Sequence, residues 1–239
     1  MRAFVLAAVL ASAPLWSACG DTGRERVDIA LSAEGVAARP VMLSGATLTL
    51  TRADVAFGPV WLCASEGARA ELCEVALAEL RDTVVMRALD PTPQPLGALT
   101  GTTGDVRSSL FDYGISWLLT ASTPQPSARA VDGHSAILEG TLTRDGRTVR
   151  FRAAIDVLPR VRGDAALNAQ RTSHTIEGEG ERMTLIADPH RWVDRLDPAA
   201  LLALDADGDG AISIDAGTVA YESILQGMVS RAPVTFRWD

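Results

Sequence analysis

The stretch Ala46-Thr-Leu-Thr-Leu-Thr-Arg-Ala-Asp-Val-Ala-Phe57 decides the fold class, because apolar and polar residues alternate along most of its length. An alternation with a period of two places every second side chain on one face of a β-strand. Gly58-Pro59 then bends the chain before a second short strand, Val60 to Leu62. The stretch therefore predicts a β-protein in which one face of this strand lies in the core.

A hairpin further along the chain supports the same class. His134 to Thr143 and Thr148 to Leu158 flank Arg144-Asp145-Gly146-Arg147. Asp-Gly between two alternating runs is typical of a two-residue turn with positive φ at both central residues. We also predict strands at Val27 to Leu31, Asp82 to Leu89, Leu110 to Thr120, Met183 to Ala187 and Val234 to Trp238.

The remaining elements are predicted to be helices and loops. Apolar residues near helical spacing favour a short helix over Ala70 to Arg81, whereas the polar segment Arg162 to Gly180 favours a long loop. Asp188-Pro189 and Asp197-Pro198 each place an N-cap residue before a proline at the first helical position. A third helix is predicted over Thr218 to Ser230.

Together these elements predict a mainly β fold: a β-sandwich-like antiparallel domain with a small C-terminal helix–loop–helix. The predicted domain covers residues 27–187. Residues 188–239 form a helical segment that carries a loop and returns to a final strand, and residues 19–26 form a polar tether in front of the domain.

The first 18 residues have the pattern of a signal peptide. Met1-Arg2 is a minimal positive region, and Ala3 to Leu15 is an apolar run that is too short to cross a bilayer stably, since a spanning helix needs about 20 residues. Trp16-Ser17-Ala18-Cys19 resembles the lipobox of bacterial lipoproteins, although that family prefers leucine where Trp16 stands. The resemblance implies cleavage before Cys19 and a lipid on its sulfur.

We therefore expect an extracytoplasmic protein that is anchored through the lipid on Cys19 to a bacterial membrane. The outer membrane or the cell surface is favoured over the inner membrane. The alternative is ordinary secretion, in which Cys19 is removed or keeps a free thiol.

The chain is acidic and contains no lysine. Its formal net charge is −8 and becomes one unit more negative without Arg2, and all 22 basic residues are arginine. The acidic balance argues against binding of nucleic acid, which needs clustered cations to neutralise phosphates. Schiff-base and P-loop chemistry are excluded without lysine. Because G-x-S-x-G, H-E-x-x-H and C-x-x-C are all absent from the sequence, we expect a non-enzymatic protein.

Two cysteines remain besides Cys19. Cys63 and Cys73 form an even pair in a chain that is bound for an oxidising compartment, so we expect a disulfide between them. Such a bridge stabilises a protein by about 2–3 kcal/mol, mainly through the entropy of the unfolded chain. A redox or metal-binding pair is the alternative.

The clearest chemical signature is Asp205-Ala-Asp-Gly-Asp-Gly-Ala-Ile-Ser213, which resembles the first nine positions of an EF-hand or dockerin-type calcium loop. Ca²⁺ takes six to eight oxygen ligands, and such a loop supplies them mainly from its odd positions. The odd positions hold the carboxylates of Asp205, Asp207 and Asp209, the backbone carbonyl of Ala211 and the hydroxyl of Ser213. Gly210, at position 6, permits the sharp turn that brings them together.

The loop departs from that family at its last position. Position 12 is Ala216, where a carboxylate that binds through both oxygens is expected, and Asp215 lies one residue early. Either the loop closes through Asp215 or the site is incomplete and weak. We expect a structural calcium ion, and the alternative is a solvated turn that joins two helices.

A further resemblance covers more of the chain. The segment Ala46 to Leu62, the hairpin His134 to Val157 and the segment Asp188-Pro189 with Trp192 are similar to methanobactin-associated, MbnP-like periplasmic proteins, which are implicated in copper handling. This resemblance implies an alternative function, a copper-binding envelope protein. It would use one or more of the three histidines, His134, His174 and His190, with methionine or tryptophan.

Overall fold

The computed structural model describes residues 23–66, 73, 76–116, 123–159 and 165–239. The predicted signal peptide and Cys19 lie outside the described residues, as does most of the predicted tether. Among the described residues, strands account for 52% and helices for 11%, which confirms the mainly β class.

The strands, in chain order, are β1 Arg26–Glu34, β2 Pro40–Leu43, β3 Ala46–Phe57, β4 Val60–Cys63, β5 Ala76–Leu80, β6 Val84–Arg87, β7 Gln94–Thr102, β8 Gly104–Phe111, β9 Ile115–Ser116, β10 Gln125–Pro126, β11 Ala136–Arg144, β12 Arg147–Ile155, β13 Leu167–Ile176, β14 Arg182–Ile186, β15 Ala211–Ile214 and β16 Thr235–Trp238. The helices are α1 His190–Val193, α2 Pro198–Leu202 and α3 Val219–Gln226, which continues into a π-helical turn at Gly227–Arg231.

Two large sheets share one hydrophobic core. The first has eight strands in the order β13-β8-β4-β5-β7-β1-β14-β16. The second has the order β15-β12-β11-β3-β2, and β6 pairs with β3 on the side opposite β11. Neighbouring strands in these sheets are antiparallel except β1 with β14 and β12 with β15. This arrangement confirms the predicted β-sandwich-like fold.

Strand β3 buries the alternating side chains that decide the fold class. The alternation changes phase once, because buried Leu48 and Leu50 are followed by buried Ala53 and Val55. A β-bulge explains the change: Glu139 pairs with Arg52 and Gly140 with Leu50, so Thr51 is an extra residue in β3. The strand can therefore keep its apolar side chains in the core along its whole length.

Aromatic rings join the two sheets. The ring of Phe57, at the end of β3, lies 5.0 Å from the ring of Phe111 in β8. Phe236 of β16 packs edge-on against Phe111 at 5.4 Å.

The rings of His174 in β13 and Trp238 in β16 stack at 3.9 Å. β13 and β16 are the two edge strands of the eight-stranded sheet. The sheet is therefore curved enough for side chains of its two edge strands to contact each other.

The predicted hairpin is confirmed. β11 and β12 pair from Ala136↔Ile155 to Arg144↔Arg147, and the two turn residues both have positive φ, 51° for Asp145 and 77° for Gly146. The predicted disulfide is also confirmed, since the sulfurs of Cys63 and Cys73 are bonded and their Cα atoms are 5.5 Å apart.

Within the described residues, one predicted strand is interrupted and two segments have a different type of element from the one predicted. The strand predicted over Leu110 to Thr120 is interrupted, because β8 ends at Phe111 and β9 begins at Ile115. The segment predicted to be a helix, Ala70 to Arg81, contains strand β5 between β4 and β7, and its earlier part falls largely outside the described residues. The predicted long loop Arg162 to Gly180 contains β13, a ten-residue strand paired with β8. The partner of β13 lies far away in sequence, and β5 is held by the preceding strand β4 and the later strand β7. Local spacing of apolar residues reveals neither kind of pairing.

The C-terminal segment contributes a strand to each sheet. β15 pairs with β12 in the six-stranded sheet, and β16 pairs with β14 in the eight-stranded sheet. The three helices of this segment pack on the core through Trp192 of α1, Leu201 of α2 and Ile224 of α3, which are fully buried. In the part of the chain that the structure describes, no helix has the length and apolar character needed to cross a membrane.

Candidate metal site

The loop 205–213 lies at an edge of the six-stranded sheet, where α2 leads into it and β15 leads out of it. Ile212 and Ile214 are buried, whereas Ala211 and Ser213 are exposed. This alternation is the pattern of a strand with one face on the core. The pairing of β15 with β12 therefore fixes the exit of the loop on a rigid element.

Three of the predicted ligands converge in this loop. One carboxylate oxygen from each of Asp205, Asp207 and Asp209 lies within 4.8 Å of the other two. The backbone turns twice through left-handed conformations, at Gly208 with φ 74° and Gly210 with φ 78°, and glycine adopts these at no steric cost. These turns bring side chains from alternate positions to the same side of the loop.

Backbone N–H groups within the loop hold these carboxylates. Asp205 Oδ1 accepts a hydrogen bond from Gly210 N–H at 3.2 Å, and Asp209 Oδ1 accepts one from Ala211 N–H at 2.7 Å. Asp207 Oδ1 accepts a longer one from Asp209 N–H at 3.4 Å. The bonds of Asp207 and Asp209 each join an aspartate to the N–H two residues later, as in Asx turns, whereas the Asp205 bond spans five residues. All three orient the carboxylates without another side chain.

Asp205 differs from its two neighbours in burial and in its partner. Its side chain is fully buried, and its Oδ2 pairs with the guanidinium of Arg147, which is half exposed. Arg147 is the first residue of β12, directly after the hairpin turn. The loop therefore holds three carboxylates within a few ångströms, and one arginine lies beside one of them.

The other predicted ligands take different positions. In the parallel ladder, Arg150 N–H donates to Gly210 C=O at 2.8 Å, so the N–H and C=O of Ala211 point away from β12. The Ala211 carbonyl therefore lies on the side of the strand where its N–H meets Asp209. Ser213 Oγ donates to Asp215 Oδ1 at 2.7 Å, and Asp215 is not one of the three converging carboxylates.

Asp215 instead supports the start of α3. Its backbone carbonyl accepts hydrogen bonds from the N–H and the hydroxyl of Thr218, at 3.2 and 2.8 Å. Thr218 is the N-cap of α3, and its hydroxyl accepts from Tyr221 N–H. The loop thus passes through β15 into a well-capped helix.

The histidines do not join this group. Among the residues that the structure describes, the side chains close enough together to hold a metal are the three aspartates. His134 Nδ1 lies 3.1 Å from Asp156 Oδ1, and His174 Nε2 lies 2.9 Å from Glu181 Oε2. Each of these two histidines therefore has a carboxylate partner of its own.

His190 uses both ring nitrogens within the fold. Its Nε2 accepts from Arg39 N–H at 3.2 Å, so the proton of the neutral ring is on Nδ1, which donates to Asp188 Oδ1 at 3.0 Å. The side chain is only 1% exposed. These bonds give His190 a structural role in joining α1 to the segment before β2.

Asp112 is a second buried carboxylate, well separated in sequence from the loop. It is 2% exposed and accepts a hydrogen bond from Ala166 N–H at 2.7 Å. Burial raises the pKa of its carboxyl from 3.8 to about 7, and the Ala166 hydrogen bond opposes this shift. Nothing in the sequence distinguishes Asp112 from an exposed aspartate.

Comparisons of the chain with protein-family models, curated proteins and solved structures find no match.

Proposed function

We propose that the loop 205–213 binds one Ca²⁺ ion and that the protein is an exported, non-enzymatic binding or structural module of the cell envelope. The observation that carries the proposal is the convergence of three carboxylates from alternate positions of one loop. Ca²⁺ is a hard cation that prefers carboxylate, carbonyl and hydroxyl oxygens. These are the donors that the loop offers.

The distances agree with the size of the ion. Calcium–oxygen bonds are about 2.3–2.6 Å long, so two oxygens on opposite sides of one ion lie about 4.6–5.2 Å apart. The three carboxylate oxygens lie within 4.8 Å of one another. One ion can therefore contact all three with little movement of the loop.

The charges of the loop also favour a divalent cation. Asp207 and Asp209 are exposed, and in the structure the guanidinium of Arg147 pairs with Asp205. Like charges at this spacing repel one another, and a bound divalent cation relieves that repulsion. Arg147 is half exposed, so it can withdraw into solvent when the ion takes the Asp205 oxygen.

Further ligands come from the exit of the loop and from water. The Ala211 carbonyl lies on the side of β15 where Asp209 is, and the exposed side chains of Ser213 and Asp215, which hydrogen-bond to each other, follow it in the chain. Because Ala216 cannot supply the final bidentate carboxylate, we expect an affinity near the extracellular range, a Kd of about 10⁻⁴–10⁻³ M.

Calcium at this position would act as a structural ion. It would join the end of α2 to β15, and β15 in turn extends the six-stranded sheet. A ligand that binds only the folded state stabilises it by mass action, by about 1.4 kcal/mol at a tenfold excess over Kd.

Calorimetric titration tests the calcium site. We expect one ion per chain, together with a rise in melting temperature at millimolar Ca²⁺. Asp207→Asn removes one of three carboxylates and should weaken binding by at least about tenfold, because ligand charge sets the affinity of such loops. Asp82→Asn is the matched control, since Asp82 is also exposed and pairs with Arg129. Equal affinities in the two variants would contradict the site.

Arg147→Gln tests whether the arginine competes with the ion. Its removal should tighten calcium binding by up to about fivefold, since a partly exposed ion pair contributes up to about 1 kcal/mol. A variant with weaker calcium binding than the wild type would show that Arg147 supports the site.

The cellular part of the proposal rests on residues 1–19 of the sequence. The apolar leader and the lipobox-like Trp16-Ser17-Ala18-Cys19 support export and a lipid anchor on Cys19. Mass spectrometry of the membrane fraction should find an acylated N-terminal Cys19, and Cys19→Ser should release the protein from membranes. A free, unacylated N-terminus after residue 18 would contradict the anchor.

A further inference from the structure

A groove of about 540 Å³, with both polar and apolar lining, crosses four strands of the eight-stranded sheet, on the face that points away from the core. The strands are β7, β1, β14 and β16, and in the ladder Ser32 pairs with both Pro95 and Thr184, while Thr184 also pairs with Arg237. The groove therefore has a floor of small side chains from β1 and β14. Its volume is within the range of small-molecule sites, about 300–1,000 Å³.

Two hydroxyl groups of the floor, those of Ser32 and Thr184, are linked to each other by a hydrogen bond. Thr184 is only 2% exposed, although it lies on the outward face of β14. Its hydroxyl donates to Asp239 Oδ2 at 2.5 Å, so in its 2.9 Å bond to Ser32 it accepts the Ser32 proton. The floor thus has a fixed direction of hydrogen bonding that runs from Ser32 to Asp239.

One wall of the groove is charged and held in place. Arg237 donates from Nε to Asp239 Oδ1 at 2.7 Å and from an Nη to Glu34 Oε2 at 3.1 Å. Two carboxylates therefore fix the plane of this guanidinium. Arg182 lies two residues before Thr184 on the same face of β14 and is exposed. The side chains of the wall carry two positive and two negative charges, so the side-chain charges balance.

The opposite wall consists of proline. Pro93 and Pro95 line the groove at the start of β7. Between them, buried Gln94 accepts from Arg87 N–H at 2.9 Å and donates to Arg87 C=O at 3.0 Å. These bonds fix the proline wall before any ligand arrives, which lowers the entropy cost of binding.

We propose that this groove binds a neutral saccharide. Sugar hydroxyl groups both donate and accept hydrogen bonds, and the groove offers partners of both kinds: carboxylate and hydroxyl oxygens that accept, and guanidinium groups that donate. The pyrrolidine rings provide an apolar strip for the C–H face of a sugar ring. The balanced charge gives no net attraction for an anion or a cation, which favours an uncharged ligand.

Saturation-transfer NMR tests this assignment on the purified protein with three neutral disaccharides, maltose, cellobiose and lactose, at millimolar concentration. Galacturonate serves as the anionic probe and glucosamine as the cationic probe. We expect transfer to at least one neutral disaccharide and none to the charged probes. Preference for a charged probe, or transfer to none of the sugars, would overturn the proposal.

Two variants locate the binding. Arg182→Gln removes an exposed donor without disturbing the core, and Thr184→Val replaces the hydroxyl on the floor with a methyl group of similar shape. Each should weaken binding by about tenfold. The control is Thr175→Val on β13, because the Thr175 hydroxyl also donates to an aspartate, Asp105, but lies outside the groove. Unchanged affinity in Arg182→Gln and Thr184→Val would overturn the assignment, and a matched melting temperature confirms that the variants are folded.

Discussion

At the scale of single residues, two buried aspartates differ in the groups that surround their carboxylates. Asp205 is buried beside Arg147 and accepts a backbone hydrogen bond, so both of its oxygens have polar partners. Asp112 is buried and accepts a hydrogen bond from Ala166 N–H, and burial raises the pKa of its carboxyl to about 7. An aspartate side chain therefore meets a guanidinium at one buried position and mainly desolvation at the other.

The raised pKa of Asp112 predicts a pH dependence of stability. The folded protein holds this proton up to about pH 7, whereas the unfolded chain releases it near 3.8. The stability that Asp112 contributes is therefore fully present below about pH 4 and is lost as the pH rises to about 7. A shift of about three units corresponds to about 4 kcal/mol.

Asp112→Asn should remove this pH dependence. Asparagine keeps an oxygen for the Ala166 N–H and carries no charge. Urea denaturation at pH 4.5 and pH 8 measures the effect: the loss of unfolding free energy between the two pH values should be smaller in the variant by about 3–4 kcal/mol. The same loss in wild type and variant would show that Asp112 does not titrate in this range.

At the scale of elements, the local pattern predicted those strands whose alternation is clear. The hairpin at Asp145-Gly146 is predictable because a two-residue hairpin turn needs positive φ at both central residues, and Asp-Gly is a pair that adopts it readily. β13 was not predicted, because its residues are mostly polar on both faces and its inward-facing His174 packs against Trp238 of a distant strand. The apolar residues of β5 lie near helical spacing, and only its pairing with β4 and β7 makes it a strand.

The β-bulge between β3 and β11 gives a test at this scale. Gly140 lies where the two strands change register, and a Cβ there would overlap the backbone oxygen of Thr49 and lie 2.9 Å from two ring carbons of Phe151. Gly140→Ala should therefore lower the unfolding free energy by about 1–3 kcal/mol or more.

Gly178→Ala is the control for that experiment. A Cβ at Gly178 meets no atom within 4 Å, so this variant should unfold like the wild type. Thermal or urea denaturation of both variants provides the comparison. If Gly140→Ala is as stable as Gly178→Ala, the close packing at the bulge is not present in solution.

At the scale of the whole molecule, the candidate sites differ in how far the sequence reveals them. The loop 205–213 is a local motif, so the spacing of its aspartates predicted which side chains would meet. Arg147 lies 58 residues away in sequence, and only the pairing of β15 with β12 brings it to Asp205. The alternation of Ile212 and Ile214 with polar or small residues was the available signal for β15.

No local sequence pattern predicts the groove on the eight-stranded sheet. Its floor and walls come from β1, β7, β14 and β16, which span most of the chain. Ser32, Thr184 and Asp239 meet because β14 pairs in parallel with β1 and in antiparallel with β16. Such a site depends on the order of strands in the sheet, which a single sequence does not specify.

The most direct test of the calcium proposal is a crystal structure of the protein grown in millimolar CaCl₂, with anomalous scattering to identify the ion. We expect one calcium ion bound by Asp205, Asp207 and Asp209 and by the Ala211 carbonyl, at about 2.3–2.6 Å, with the Arg147 guanidinium moved away from Asp205. A loop that contains only water, with Arg147 still paired to Asp205, would contradict it.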